Sequence, residues 1–314
     1  MYTTPIHPLV FQDGRNRFFI KRDDLLPFSF GGNKVRKALL HFEYVDAHHH
    51  TAIVTVGSAT SNHCRIVANM AAQRRLPCII VSPEESEKPA FNRTLTQTLN
   101  ARVVLKPKDR IDEAVDVELA HLKRLGHNPY YIRLGGHGML GTEAYARAYN
   151  EIVAHEKAER QPFDAIFFAD GTGTTHAGLV CGKRQNHRHH HIIGISVLRE
   201  VDAQCDIVTH SVNEYLDSHD IPPMKAEAVH CIGDYAFGGY GKTDPELYRL
   251  IRTVMETDGI ALDPVYTAKA FYGMVKEVAK RGWYGKNVLF LHTGGAPIFF
   301  DALAAGKLNE EDPT

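Results

Sequence analysis

The lysine of Gly31-Gly32-Asn33-Lys34 is the first candidate for covalent chemistry in this sequence. The two glycines allow turn conformations that other residues avoid. Asn33 is expected to cap the helix predicted over 35–45, which places Lys34 in its first turn. A cation is unfavourable at that positive end of a helix, so Lys34 is predicted to lose its proton readily. Such an amine can form a Schiff base, although the motif alone is also compatible with an ordinary basic turn.

A second loop has the composition of a phosphate site. Residues 170–175 read Asp-Gly-Thr-Gly-Thr-Thr and lead from the apolar run 165–169 into a predicted helix. Backbone N–H groups and hydroxyls at a helix start can surround a phosphate. The sequence matches neither a P-loop nor a dinucleotide fingerprint. We expect one phosphate here, with a plain glycine-rich connection as the alternative.

A third loop offers a hydroxyl at a strand end, where Thr293 precedes Gly294 and Gly295. The two glycines would let a flat ligand approach the backbone closely. A lysine amine, a phosphate turn and this hydroxyl match the aldehyde, the phosphate and the ring nitrogen of pyridoxal 5′-phosphate. Their combination therefore predicts that cofactor.

The elements that must position these loops alternate between strands and helices. Apolar β-branched runs predict strands at 18–22, 52–56, 78–81, 103–105, 130–134, 165–169, 192–197 and 288–291. Helices are predicted at 35–45, 62–73, 89–99, 111–125, 175–183, 202–217, 245–257 and 266–280. This alternation is typical of βαβ units on parallel sheets, whose ligands bind at the carboxyl ends of the strands. We predict two open, mainly parallel α/β lobes with the cofactor in the cleft: a large domain of 1–47 and 146–314, and a small domain of 48–145.

Composition excludes several other classes. The chain has 314 residues, is 44% hydrophobic and carries a net charge of −1, which gives no electrostatic reason to expect nucleic acid or a membrane surface as partner. No apolar run reaches the length of a membrane span, and the first residues do not resemble a signal peptide. The five cysteines include no C-x-x-C pair and are expected to be free thiols in the cytoplasm.

Two histidine runs, at 48–50 and 187–191, invite a metal hypothesis. Both flank predicted strands, and neither has the spacing of a closed zinc site. We interpret them as solvated turns and expect no metal.

The order of the motifs resembles that of fold type II, tryptophan-synthase-β-like pyridoxal-phosphate enzymes. Within that fold the chain is similar to the family of 1-aminocyclopropane-1-carboxylate deaminase and D-cysteine desulfhydrase. The matching segments are Ile-Lys-Arg-Asp-Asp at 20–24, Gly-Gly-Asn-Lys-Val-Arg-Lys at 31–37, Ser-Asn-His at 61–63, Thr-His-Ala-Gly at 175–178, Leu-Asp-Pro-Val-Tyr at 262–266 and His-Thr-Gly-Gly at 292–295. They cover nearly the whole chain in the family's order.

The resemblance implies how the cofactor is held. Lys34 would be the Schiff-base lysine and the base that removes the α-proton, and Asn62 would bond the 3′-oxygen of the ring. Thr293 would meet the ring nitrogen. The phosphate contacts would be Lys37, Thr172, Gly173, Thr174 and Thr175.

The resemblance also implies the substrate contacts. Ser61 would hold the substrate carboxylate or assist proton transfer, with Asn62 and His63 beside it. Tyr240 and Tyr266 would flank the cofactor and the substrate. The substrate would be a small amino acid, and the protein would be a homodimer.

Two positions separate the branches of this family. The deaminase branch has Glu after the second tyrosine and Leu before the glycine pair, whereas this chain has Thr267 and Thr293, as in the desulfhydrase branch. A carboxylate near the ring nitrogen favours a pyridinium, whereas a hydroxyl stabilises a neutral pyridine, which suits α-proton removal followed by loss of a β-substituent. We therefore predict α,β-elimination from a small D-amino acid, with D-cysteine giving pyruvate, ammonia and sulfide.

Departures from the family pattern leave the substrate open. Lys242-Thr243-Asp244 replaces an apolar residue, Pro and Asn, and Thr60 replaces Gln. Deamination of 1-aminocyclopropane-1-carboxylate and elimination from D-serine or cysteate are the alternatives within the family. A non-catalytic cofactor-binding or ligand-binding protein is the alternative from another class.

Overall fold

The computed structural model describes residues 2–84 and 90–308, which form two compact units. One unit contains Met1–Asn33 and Thr142–Thr314, and the other contains Lys34–Gly141. The predicted domain boundaries differ from this division, because they assign 34–47 and 142–145 to the other part.

The described residues contain ten strands and ten α-helices, which mostly alternate. The strands are β1 (Ile6–Pro8), β2 (Arg17–Arg22), β3 (Ala52–Val56), β4 (Cys78–Pro83), β5 (Arg102–Lys106), β6 (Pro129–Ile132), β7 (Ala165–Asp170), β8 (His191–Ser196), β9 (His230–Ile232) and β10 (Asn287–His292) in the described residues. The helices are α1 (Asn33–Ala47), α2 (Asn62–Gln73), α3 (Phe91–Thr98), α4 (Ile111–Arg124), α5 (Met139–Glu159), α6 (Thr174–Gln185), α7 (Val201–Asp217), α8 (Pro245–Asp258), α9 (Thr267–Lys280) and α10 (Ala296–Ala304) in the same residues.

Each unit is built on one sheet. The strand order in the larger unit is β1-β2-β10-β7-β8-β9, and that in the smaller unit is β5-β4-β3-β6. All pairings are parallel except that of β1 with β2. The predicted α/β fold with mainly parallel sheets is therefore confirmed.

The central strands read as continuous apolar runs because helices cover both sheet faces. Every residue of β7 is buried, and β7 pairs in parallel with β10 and β8. The carboxyl ends of β7 and β10 consequently lie side by side. The loops that follow them, 171–173 and 293–295, are the ones that the sequence singled out.

Four elements were missing from the predictions: β1, β9, α5 and α10. The long helix α5 gives a weak periodic signal because consecutive residues, such as Ala144, Tyr145 and Ala146, are all buried. The predicted start of α3, at position 89, lies outside the described residues. Within the described part of the chain, no helix has both the length and the apolar content needed to cross a membrane.

Candidate active site

The lysine turn is shaped by close backbone approaches. Gly31 and Gly32 have φ of 62° and 103°, in the region that favours glycine. A Cβ on Gly31 would lie 2.0 Å from the Asp24 carbonyl oxygen, and one on Gly32 would lie 2.8 Å from the Thr293 carbonyl oxygen. No larger residue fits either position without a backbone shift, so the sequence that precedes Lys34 is fixed by packing.

Asn33 connects this turn to the other two loops of its unit. Its N–H donates to the Thr293 carbonyl at 2.9 Å, and its Nδ2 donates to Thr175 Oγ1 at 3.1 Å. The helix α1 begins at Asn33 itself, whereas a capping Asn33 was predicted to precede its first residue. The residue immediately before Lys34 is thus held at the phosphate turn and at the end of β10.

The predicted phosphate turn begins α6. Gly173 precedes the helix with φ of 85°, in the left-handed region, and Thr174 and Thr175 occupy its first turn with 0% and 4% exposure. Their N–H groups belong to the four at a helix start that have no partner within the helix. Thr172 is half-buried. The turn has the backbone donors and the dipole direction that a phosphate requires.

Two residues beside this turn were not predicted from the sequence. Arg199 Nη1 donates to the Gly171 carbonyl at 2.6 Å. A Cβ on Gly173 would lie 3.5 Å from Gln204 Nε2, and this buried amide donor has no hydrogen-bond partner in the described residues. A guanidinium and a donor without a partner fit a phosphate group. The position of Arg199 soon after β8 could have indicated it, whereas Gln204 lies inside a helix and carries no such signal.

Thr293 directly follows β10 and is buried, with 8% exposure. Its hydroxyl makes no hydrogen bond to any residue in the described part of the chain, so it is available to a ligand. The glycines after it also allow close approaches within the protein. A Cβ on Gly294 would lie 2.6 Å from Gly32 Cα, and one on Gly295 would lie 2.3 Å from Asp263 Oδ2. They make room for the lysine turn and for Asp263.

Asp263 organises the start of α9. This fully buried carboxylate accepts hydrogen bonds from the N–H groups of Val265, Tyr266 and Thr267. It also accepts one from the Thr267 hydroxyl at 2.7 Å, which itself accepts from the Asp263 N–H at 2.7 Å. Burial raises the pKa of Asp263, and these hydrogen bonds oppose the rise. The Thr267 hydroxyl is therefore committed to the protein.

Tyr240 and Tyr266 come together as predicted for a pair that flanks one ligand. Their hydroxyl oxygens are 2.6 Å apart. Tyr266 is held by the Asp263 carboxylate, and the loop that contains Tyr240 is held by Lys269 of α9. Lys269 Nζ donates to the Ala236 and Gly239 carbonyls at 2.7 and 2.8 Å, and burial lowers its pKa to about 8. The beginning of α9 positions both tyrosines.

In the smaller unit, Ser61 and Asn62 begin α2 as predicted. Ser61 Oγ accepts from the His63 N–H at 3.1 Å and caps the helix. Asn62 Oδ1 accepts from Asn92 Nδ2 at 2.9 Å and from Arg65 Nη2 at 3.4 Å. The Asn62 Nδ2 makes no hydrogen bond to any described residue, so the amide presents a donor to a ligand. Asn92, 0% exposed, sets this orientation, and nothing in the sequence indicated it.

His63 is 2% exposed, and its Nε2 lies 2.9 Å from Thr55 Oγ1. The Thr55 hydroxyl donates to the Ile132 carbonyl, so His63 Nε2 carries the proton. Burial, and then the charge of Lys34, keep the pKa of His63 well below its usual value. The ring supports the Ser61 turn, and a substrate contact by His63 stays a prediction.

Lys34 is half-buried in the first turn of α1, and Lys37, one turn later, is buried.

One group of three described residues could hold a metal: Asp170, His176 and Cys231. His176 Nδ1 lies 2.8 Å from Asp170 Oδ2, and a Cβ on Gly194 would lie 2.7 Å from His176 Nδ1.

The histidine runs are not all solvated turns, because His190 is buried and lies 2.6 Å from the Tyr149 hydroxyl and 2.9 Å from Glu156. The five cysteines are free thiols.

Comparison with known proteins assigns the family. A family model described as pyridoxal-phosphate dependent enzyme matches residues 1–294. The chain belongs to this family. This pyridoxal-phosphate dependent enzyme is 36% identical over 282 residues to a provisionally named 1-aminocyclopropane-1-carboxylate deaminase of Pyrococcus horikoshii, with 88% of this chain and 84% of the relative covered. It is 32% identical over 292 residues to a D-cysteine desulfhydrase of Serratia proteamaculans, with 90% and 87% covered.

A solved structure, of an ACC deaminase homologue, superimposes on the enzyme with a TM-score of 0.88 at 31% identity, covering 98% of this chain and 94% of the other. The predicted cofactor, pyridoxal phosphate, and the predicted membership of the deaminase and desulfhydrase group are confirmed. The turn at 171–175, with the Gln204 donor beside it, and the Asn62 and Thr293 donors fit the phosphate, the 3′-oxygen and the ring nitrogen of that cofactor.

Proposed function

We propose that this enzyme catalyses α,β-elimination from a small D-amino acid and that D-cysteine is its substrate. D-cysteine and water would be converted to pyruvate, ammonia and hydrogen sulfide. The observation that carries this proposal is the Thr293 hydroxyl, which is buried and has no partner among the described residues. A hydroxyl offers the ring nitrogen a neutral partner, which suits removal of an α-proton followed by loss of a β-substituent.

Residues from several segments of the chain would hold the cofactor. Lys34 would bind its aldehyde carbon, Asn62 Nδ2 its 3′-oxygen and Thr293 Oγ1 its ring nitrogen. The phosphate would be bound by Lys37, Thr172, Gly173, Thr174 and Thr175. Bound pyridoxal phosphate withdraws electrons from the α-carbon of an amino acid and so makes its α-proton removable.

The remaining steps belong to side chains of the chain itself. Lys34 would accept the α-proton at Nζ, because the positive end of α1 favours a neutral amine there. Ser61 would bind the substrate carboxylate at the start of α2. The Tyr240 and Tyr266 hydroxyls lie within hydrogen-bond distance of each other, so a proton on one can be shared with the other. We propose this pair as the boundary of the substrate site.

Replacing Lys34 by Ala tests the central assignment. The variant should release keto acid from D-cysteine at least about 1,000-fold more slowly, since it loses both the covalent anchor and the base. It should also lose the visible absorbance that borohydride bleaches in the wild-type enzyme. Lys123→Ala, which removes an exposed lysine from α4, should change neither property. A Lys34→Ala variant with the wild-type rate would show that this lysine is not the catalytic one.

A substrate screen separates this proposal from ring opening of 1-aminocyclopropane-1-carboxylate, which the names of the Pyrococcus relative and of the solved homologue favour. D-cysteine, D-serine and cysteate would yield pyruvate, whereas the cyclopropane amino acid would yield 2-oxobutanoate. Release of 2-oxobutanoate at a higher kcat/KM than pyruvate would overturn the D-cysteine assignment.

A homodimer and a cytoplasmic location stay predictions from the sequence. Light scattering would test the first of them.

A further inference from the structure

The larger unit contains a cavity of about 410 Å³ that the reaction does not use. It lies at the carboxyl end of α6, whereas the phosphate turn lies at the amino end of the same helix. At about 1.5 Å per residue, α6 rises by roughly 14 Å from Thr174 in the phosphate turn to Lys183 at the cavity. A ligand in this cavity would therefore be distinct from the cofactor.

The rim of the cavity is cationic. Its charged and titratable residues are Lys183, Arg184, His187, Arg188, His189 and His230, and none of the described residues that line it is acidic. Lys183 and Arg184 end α6, where a helix favours cations. That preference does not account for the other four, which converge on the cavity from outside the helix. We call this site the cationic cavity.

The positive charges of the rim are only partly compensated. Lys183 is half-buried, and its ammonium group makes no ion pair or hydrogen bond with the described residues. Burial and then the adjacent Arg184 charge lower its pKa. Burial, followed by the charges of His191 and Lys183, likewise lowers the pKa of His230. Arg188 approaches a carboxylate, Glu156, at 3.7 Å, and Arg184 Nη2 donates to the Pro222 carbonyl at 3.4 Å. An anion in the cavity would relieve this repulsion.

The apolar part of the cavity lining consists of Val180 and Ile192, which are buried, Met224, which is half-buried, and Ala228, which is exposed. Three of the basic side chains are Lys or Arg, and Glu156 offsets only part of the charge, at Arg188. With the imidazole donors of the three histidines, the rim can contact more than one phosphoryl group. The apolar lining suits an organic group, and the volume is within the range of small-molecule sites. We propose that the cationic cavity binds an organic diphosphate of the nucleoside diphosphate type, with its phosphoryl groups on the rim and its organic group inside.

Calorimetric titration of the cofactor-loaded enzyme with ADP, inorganic pyrophosphate and adenosine tests this proposal. ADP should bind more tightly than pyrophosphate, and adenosine should bind weakly. Binding should weaken at high salt because the rim contacts are ionic. Absence of ADP binding at millimolar concentrations would overturn the proposal. Pyrophosphate binding as tight as that of ADP would overturn the role of the apolar lining.

Two variants locate the binding. The double variant Lys183→Gln, Arg184→Gln should bind ADP at least about 10-fold more weakly, since charge-assisted hydrogen bonds are lost. The matched control Lys123→Gln, Arg124→Gln changes the equivalent pair in the last turn of α4 and should bind ADP as the wild type does. Ala228→Phe should weaken the binding of ADP more than that of pyrophosphate, because the larger side chain would cover the apolar lining. Unchanged visible absorbance checks that each variant remains folded, and equal ADP affinity in all of them would show that ADP binds elsewhere.

Discussion

Two threonine hydroxyls in the larger unit differ in whether they have a hydrogen-bond partner. The Thr267 hydroxyl both donates to and accepts from Asp263, whereas the Thr293 hydroxyl has no partner in the described residues. A side chain that already satisfies its neighbours contributes to stability. One that is buried without a partner costs free energy unless a ligand completes it. The free Thr293 hydroxyl is therefore the better candidate for contact with the cofactor.

Replacing each threonine by Val tests this difference. Thr293→Val should lower kcat for elimination by about 3-fold to 10-fold, the value of one hydrogen bond, and should shift the visible absorbance of the cofactor. Its free energy of unfolding without cofactor should be close to that of the wild type. Thr267→Val should instead lower that free energy by about 1–3 kcal/mol, because a buried carboxylate loses a donor. If Thr293→Val were as destabilising as Thr267→Val and left kcat unchanged, the proposed role of Thr293 would be wrong.

Asn92 acts through another residue, since its amide donates to Asn62 Oδ1 and to the Thr60 carbonyl. Asn92→Asp would place a carboxylate against these two acceptors and turn Asn62 away from the ligand. We expect the affinity for pyridoxal phosphate to fall by about 10-fold, measured by titration of the apoenzyme. Asn100→Asp adds the same charge at an exposed site of this unit and should leave the affinity unchanged. A similar affinity for Asn92→Asp and wild type would exclude the positioning role.

At the scale of the elements, the sequence predicted correctly the strands that are buried on both faces and the helices whose buried residues recur at regular intervals. The strands β3, β7 and β10 were predicted to within one residue at each end because apolar β-branched runs leave few alternatives. The helix α5 was missed because consecutive residues, such as Ala144, Tyr145 and Ala146, are all buried, which weakens its periodic signal. The sequence indicated the glycines of the lysine turn but not the residues that they contact. Gly32 and Gly294 are far apart in the sequence and are brought together only by the fold.

The interlock of these two loops predicts a large cost for a single methyl group. Gly294→Ala would place a Cβ 2.6 Å from Gly32 Cα at φ of 97°, so both strain and a backbone clash oppose it. We expect a loss of about 3 kcal/mol or more in the free energy of unfolding. Gly285→Ala is the matched control, because its φ is 68° and nothing lies within 4 Å of the added Cβ. That variant should lose only about 1 kcal/mol; equal losses in urea unfolding would mean that the close approach contributes nothing.

At the scale of the whole molecule, buried titratable groups determine how stability depends on pH. The smaller unit buries two neutral histidines, His41 and His63. Burial, opposed by the Gly136 carbonyl and assisted by the Lys37 charge, lowers the pKa of His41 to about 4. His63 is shifted in the same direction. Neither lowered pKa could be predicted from the sequence, because each residue is a single histidine within a predicted helix. The histidine runs at 48–50 and 187–191 are the more obvious candidates in the sequence.

These two histidines make the smaller unit sensitive to acid. A histidine with a lowered pKa in the folded state binds its proton mainly after unfolding, so stability is lost as pH falls from about 6.5 through about 4. For His41 alone, lowering the pH from 7 to 5 should reduce the free energy of unfolding by about 2 kcal/mol, and His63 should add to this loss. Urea unfolding at both pH values measures it. His41→Asn should show a smaller loss between pH 7 and pH 5 than the wild type. His49→Asn removes an exposed histidine whose φ of 54° suits Asn and should lose as much as the wild type. Equal acid sensitivity in all three proteins would show that other groups control it.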